Sequence, residues 1–264
     1  TTCFEQEDYF TSSWHMYASY SPAAIEPVGE SKSDYEVIKL LATAMGFDDP
    51  CFNDSVDDIA AAAFDNPSNP YLAGVSAERL KREGVVRLSL PSRPHIAFAD
   101  GAFPTPSGKV EFYSERMAVA GLDPLPTYEP AIEGRGGNRD LLSRYPLQMM
   151  AVPNHHFLNS SFAEIPRMQD KEGRPALQIH PSDAASRGIA DGDRVRVWND
   201  RGSCELRARV ADTVLPGVVA SQGLWWTRHH PEAGVNRLTS SRESDMAGGA
   251  CFFSNLVQVA RARG

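Results

Sequence analysis

Clustered cysteines are missing from this chain of 264 residues. The four it has, Cys3, Cys51, Cys204 and Cys251, stand far apart with no Cys-x-x-Cys among them. Zinc fingers and thiolate-held iron–sulfur clusters need grouped thiolates, so neither is expected. Free buried thiols in a reducing compartment are the expectation, with a pair of disulfides as the alternative. Long apolar runs are missing too, since none approaches the roughly 20 residues of a membrane helix. The start lacks the basic and apolar stretch of an export signal. No solenoid-type repeat is visible. Ser107-Gly108-Lys109 runs into Val110, where a P-loop needs Ser or Thr. No Gly-x-Ser-x-Gly elbow nominates a hydrolase serine. Asn159-Ser160-Ser161 has the form of a glycosylation sequon, which matters only in a eukaryotic secretory pathway.

Lysine is scarce where the charge turns positive. Residues 1–134 carry a net charge of −12, while residues 135–264 carry +4 on 17 basic residues, of which 16 are arginine. Arginine's planar fork of donors suits phosphates, carboxylates and aromatic faces, and an anionic dinucleotide would fit such a half. The plainer alternative is that most of these arginines line strand faces in water. The overall charge of −8 argues against bulk nucleic-acid binding. With 42% hydrophobic and 23% charged residues, the chain has the composition of one large or two ordinary globular domains.

The first half reads as helical. Ser33 and Glu36 form a capping box, Val37, Leu41, Ala44 and Met45 make an apolar stripe, and Gly46 stops that helix. Ser55 and Asp58 open a second helix through Ala63, and a third runs from Ser76 to Glu83, ended by Gly84. A short strand is expected around Val110 and Phe112, then a helix from Ser114 to Ala120 stopped by Gly121. Residues 123–144, with three prolines and three glycines (Gly134, Gly136, Gly137), form the linker candidate. Beyond Tyr145 strand signals dominate, at 147–152, 177–180, 194–199, 203–210, 217–222 and 252–260.

Residues 177–202 are the most legible stretch. Leu177 and Ile179 alternate as on a half-buried strand, Pro181 suits the first position of a short helix, and Gly188 ends it. Asp191-Gly192-Asp193 turns the chain into a strand with Val195 and Val197 on one face. Asn199-Asp200-Arg201-Gly202 turns it back into a strand with Cys204, Leu206, Ala208 and Val210 inward. Gly192-Asp193-Arg194-Val195 and Pro216-Gly217-Val218-Val219 echo one another as turns feeding strands, which suits a barrel of two interlocked halves.

This block resembles the C-terminal, cofactor-binding domain of the molybdopterin-guanine-dinucleotide oxidoreductases, the dimethyl-sulfoxide-reductase superfamily. Residues 104–114, 25–47 and 1–6 resemble the family's preceding segments, so the likeness covers nearly the whole chain. The resemblance implies an α+β chain, mainly helical at first and then a double-psi β-barrel. It divides into residues 1–122 from the end of a nucleotide-fold region, a linker at 123–144 and the barrel at 145–264. It also implies sequence upstream of Thr1. That region would carry the metal ligand, any iron–sulfur cluster and most phosphate-binding loops. The expected partners are therefore molybdopterin guanine dinucleotide, with molybdenum or tungsten, and those upstream domains. Neither nucleic acid nor membrane is expected, and the fragment alone should not turn over. A cytoplasmic location is expected, with periplasmic export left open by the absent native start. The rival is a freestanding barrel that binds a nucleotide or protein without redox chemistry.

Candidate site residues follow from position. Adjacent histidines on extended chain point to opposite faces, so His155 and His156 are not expected to share a metal. As a plain reading, the loop 154–161 is polar cover with backbone-bonded histidines. As the resemblance reads it, His155, His156, Asn159, Ser160 and Ser161 contact the pterin. Trp225-Trp226 should place one indole inside, packed in the core, and one outside as a partner surface or a lid on the cofactor, and Trp225 is the candidate cofactor contact. His229-His230-Pro231 reads as a solvated loop. Val235–Thr239 and Asp245 resemble a second family signature, which makes Asn236, Thr239 and Asp245 candidates for the pterin or guanine end. An amide offers both donor and acceptor, and a carboxylate accepts ring N–H groups. The plain alternative there is a capped turn. No catalytic residue and no metal ligand are assigned.

Overall fold

A computed structural model of the chain describes residues 1–11, 14–90, 96–223, 225–244, 248–251 and 253–262. It divides into two compact units, Thr1–Glu111 and Phe112–Gly264. The division falls ahead of the stretch read from sequence as a linker.

In the first unit, strands β1 (Asp8–Thr11) and β2 (Tyr17–Ser21) pair antiparallel, and β3 (Val85–Arg87) adds to β2. Helices α1 (Asp34–Met45), α2 (Val56–Phe64) and α3 (Ala77–Glu83) start where the sequence places them. Ser33 with Glu36, and Ser55 with Asp58, each satisfy two orphan amides of a helix start reciprocally, and Ser76 caps α3. Gly46 closes α1 at φ 81°, a left-handed conformation that a Cβ would strain. Ala18, Phe64, Val75, Leu80 and Val86 make the core. The α1 stripe does not join it: Val37, Leu41 and Met45 are 50–63% exposed, and Ala42 is the buried residue of that helix.

The second unit opens with α4 (Glu115–Val119), capped by Ser114, where the sequence expected a helix. The strand expected at Val110 and Phe112 does not form; both side chains are exposed and irregular backbone carries them. Within the proline- and glycine-rich stretch, Asn138 caps a short helix, α5 (Arg139–Arg144), by accepting from Asp140 and Leu141. Then come β4 (Leu147–Val152), α6 (Pro166–Glu172), β5 (Ala176–Ile179), α7 (Pro181–Ala185), β6 (Arg194–Trp198), β7 (Ser203–Val210), β8 (Val218–Gln222) and β9 (Asn255–Arg261).

Six of these strands close into a barrel in the order β4-β8-β5-β7-β6-β9. Strands β4 and β8 run parallel, as do β5 and β7, and the other neighbours are antiparallel. This is a double-psi β-barrel. Period-two alternation decides which side chains fill it. Leu177 and Ile179 from β5, Val195 and Val197 from β6, and Cys204, Leu206 and Ala208 from β7 all point inward, with Arg207 and Arg209 outward. The two echoing turns also hold: Gly192 (φ 80°) and Gly217 (φ 78°) each sit just ahead of a strand.

All four cysteines are free. The expectation of buried thiols holds for Cys204, whose pKa burial pushes up to about 12, whereas Cys3 and Cys51 are exposed. Alkylation of the native protein at about pH 8 should therefore label Cys3 and Cys51 and spare Cys204 until denaturant is added, as peptide mass spectrometry would read.

Candidate functional site

Two parallel strands that end in register deliver their following loops to one rim. Val152 of β4 stands opposite Gln222 of β8, and the next amide, that of Gly223, donates to the Val152 carbonyl at 2.8 Å. Beyond β4 come Asn154, His155 and His156; beyond β8 comes Trp225. The loops meet through aromatic packing. Phe157 lies edge-on to Trp225 at 5.6 Å between ring centroids, His230 meets the same indole at 5.0 Å, and Ala163 and Met168 complete the cluster. A polar link runs beside it, with the Glu164 carboxylate accepting from Arg228 and bonded to His229 at 3.1 Å. That bonding holds the Glu164 carboxyl below its usual pKa, with His229 as the first cause.

The backbone of the histidine pair is clamped by a residue not foreseen from sequence. Glu172, the last residue of α6, accepts the N–H groups of His155 and His156 at 3.1 and 2.8 Å. Two consecutive amides can aim at one carboxylate only where the chain bends. The rings accordingly lie edge-to-face at 4.7 Å rather than on opposite sides, which corrects the extended-chain expectation. The signals for α6 were present in Pro166 at its first turn and Gly173 (φ 82°) just past its end. Asn159 and Ser160 form the tip of a tight turn closed by Leu158 and Ser161, whose backbones exchange bonds of 3.0 and 2.9 Å. Asn159 adopts φ 54° there, a conformation asparagine tolerates better than most residues.

Of the two indoles, Trp225 is the inner one, 8% exposed, and Trp226 the outer, 44% exposed. Both lie past the end of β8. His230 departs from the solvated-loop expectation. It is half-buried against Trp225, and burial, with His229 and Arg174 nearby, lowers its pKa. Two donors in these loops have no acceptor among the described residues: the Asn154 amide Nδ2 and the Trp225 indole Nε1, both inaccessible to solvent. A buried donor without a partner costs about 1–3 kcal/mol, so such atoms in a native fold call for an explanation. An acceptor-bearing ligand supplies one.

Asn236 and Thr239 lie in a second cluster. Val235–Leu238 is one turn of 3-10 helix whose ends, Val235 and Leu238, are buried while Asn236 and Arg237 are exposed. With three residues per turn, burying positions 235 and 238 turns the two between them outward. Thr239 Oγ1 donates to the Asn236 carbonyl at 2.9 Å. Asp245 lies outside the described residues. Among the described residues no hydrogen bond or ring contact joins 155–161 to 236–239. Their connection is residues 225–235, which cross β7 where the Glu205 amide donates to Glu232 O at 2.8 Å. A cavity of about 390 Å³ lies along that crossing, lined by Arg174, Arg194, Arg207, Glu205, His230 and Glu232.

Comparisons with known proteins agree with this geometry. The family described as "Molydopterin dinucleotide binding domain" matches residues 147–256. "Probable oxidoreductase YoaE" of Bacillus subtilis (strain 168) is 43% identical over 98% of this chain and 36% of its own length. A putative dimethyl sulfoxide reductase of Halobacterium salinarum, in its catalytic chain, is 30% identical over 98% of this chain and 31% of its own. In fold, the chain is similar to acetylene hydratase from Pelobacter acetylenicus, with a TM-score of 0.70 at 20% identity over 98% of this chain and 37% of that one. The chain thus spans about a third of the length of the curated relatives it matches. By these likenesses residues 147–256 carry a molydopterin dinucleotide binding domain, and nearly the whole chain matches about a third of longer proteins named as a probable oxidoreductase and a putative dimethyl sulfoxide reductase.

Proposed function

We propose that this chain is the portion of a molybdenum or tungsten oxidoreductase that holds and caps a molybdopterin guanine dinucleotide. The reading is carried by the two orphaned donors, Asn154 Nδ2 and Trp225 Nε1, at the rim where β4 and β8 end. A pterin offers carbonyl and ring-nitrogen acceptors to such donors, and the exposed Asn236 amide can both give and accept. When bound in the parent protein, the cofactor supplies two-electron redox chemistry at its metal, while the protein supplies binding and orientation.

In this reading Glu172 fixes the histidine-pair backbone, Trp225 and Asn154 bond the ring system, and Asn236 with Thr239 serves its other end. His155, His156, Ser160 and Ser161 line the approach. The chain alone carries no redox group in this scheme. Dye reduction by the purified 264-residue chain would overturn that part.

The test is made in the full-length parent. Trp225→Phe removes the indole N–H but keeps the aromatic packing, and Asn236→Ala removes the amide. Each is expected to lower molybdenum and pterin content by about tenfold, read by metal analysis and by the fluorescence of released, oxidised pterin. Unchanged content in both variants removes these residues from the site.

A further inference from the structure

The turn Asn199-Asp200-Arg201-Gly202, which reads in sequence as ordinary hairpin chemistry, has a second role in the fold. Its side chains converge on one backbone atom, the Leu238 carbonyl oxygen. Asn199 Nδ2 donates to it at 2.9 Å, Arg201 Nε at 2.9 Å and Arg201 Nη2 at 2.6 Å. The remaining faces of those groups are occupied as well. Asn199 is buried, gives a second bond to Leu256 O at 3.3 Å, and accepts the Arg201 amide at 3.0 Å. The Arg201 guanidinium is held by Glu133 in a two-point pair of 2.7 and 2.8 Å. Gly202 completes the contact, because a Cβ there would come within 3.1 Å of the Arg237 carbonyl oxygen.

We infer that Glu133, Asn199, Arg201 and Gly202 form a latch that positions residues 235–239, and so fixes the direction in which Asn236 presents its amide. This rests on the reading of Asn236 as a cofactor contact. An ordinary hairpin turn needs none of these long-range bonds, since its own closure is the Asn199 amide donating to Gly202 O at 3.0 Å. A carbonyl that receives three side-chain donors, one of them from an arginine aligned by a carboxylate, is fixed in position and direction. The exposed amide two residues earlier inherits that placement through a 3-10 turn clamped at both buried ends. Arg201 and Glu133 are therefore positioning residues, which reach the ligand only through the backbone they hold.

The experiment uses the full-length holoenzyme with Arg201→Gln, Arg201→Lys, Glu133→Gln and Gly202→Ala, and Asn236→Ala as reference. Two quantities are read at a temperature where circular dichroism is unchanged: amide hydrogen exchange at 235–239, and the rate at which pterin fluorescence appears as cofactor leaves. Arg201→Gln and Gly202→Ala should speed both, release by about tenfold, with Arg201→Lys in between and Glu133→Gln smaller. Gly202→Ala keeps the guanidinium, so its effect isolates the placement of the segment from any loss of charge. Unchanged exchange in Arg201→Gln overturns the latch. Faster exchange with unchanged release overturns its role toward the cofactor, provided Asn236→Ala does speed release. If Asn236→Ala leaves release unchanged, the cofactor reading of that segment falls, and the purpose assigned to the latch falls with it.

Discussion

Leu177→Ala should lower the unfolding free energy of the barrel by about 3–4 kcal/mol. Leu177 is fully buried in β5, which sits between β7 on one side and β8 on the other. Its side chain packs among Leu147, Ile179, Leu206 and Val219 in a core filled from all the barrel strands. Cutting it back removes buried methyl groups and leaves a void that a closed barrel cannot collapse to fill, so the loss exceeds the transfer term alone. Urea unfolding followed by tryptophan emission reads this directly, because Trp198, Trp225 and Trp226 all lie in the second unit. Leu41→Ala on α1 is the contrast. The residue is chemically identical but 56% exposed, and its removal should cost less than about 0.5 kcal/mol. Equal losses at the two positions would contradict the described packing.

Asn199→Asp should cost as much or more, about 3–5 kcal/mol near neutral pH. The Asn199 amide stands between the carbonyls of Leu238 and Leu256 and donates to both. A carboxylate in its place turns two donations into two contacts between acceptors in a site with little water. Arg201 repays only part of this, since Glu133 already occupies the fork. The sign with pH follows. The introduced carboxyl titrates above its unfolded value of about 3.9, so in the folded state it favours the neutral form, which can donate once more. The variant is then closest to the parent below about pH 4 and loses stability as pH rises through the folded pKa. Urea midpoints of parent and variant, compared across pH, check this. A gap that narrows toward neutral pH would show that the amide is not acting as a donor there.

The barrel was legible because its signal is local. Alternation every second residue is written into Leu177, Ile179, Val195, Val197 and Leu206, and the glycines at 188, 192 and 217 take the left-handed conformations that their turns need. Helix starts were legible for the same reason, since Ser33, Ser55, Ser76 and Ser114 all cap within three residues of themselves. What escaped was settled over long separations. The three-stranded sheet of the first unit joins β2 to β3 across more than sixty residues, and β1 and β3 are too short for their alternation to stand out. The α1 stripe has the period of a core helix, yet only packing decides whether such a face is covered.

The candidate site divides along the same line. Its loops were named by resemblance, but the long-range partners that hold them were not. Glu172 reaches back sixteen residues to His156, Glu133 reaches Arg201 across sixty-eight, and Arg201 reaches Leu238 across thirty-seven. No periodicity encodes such partners. The inward turn of Trp225, rather than Trp226, likewise goes with its edge-to-face contacts to Phe157 and His230.

The order of strands around the barrel sets a timetable for its making. Strand β9 is the last of them in sequence, yet it stands between β4, the first, and β6. A nascent chain that has emerged as far as β8 can therefore pair β4 with β8, β8 with β5, β5 with β7 and β7 with β6, and still present two raw edges along β4 and β6. Closure waits for Asn255–Arg261 to leave the ribosome, so the dinucleotide-binding domain cannot mature from its front end backward.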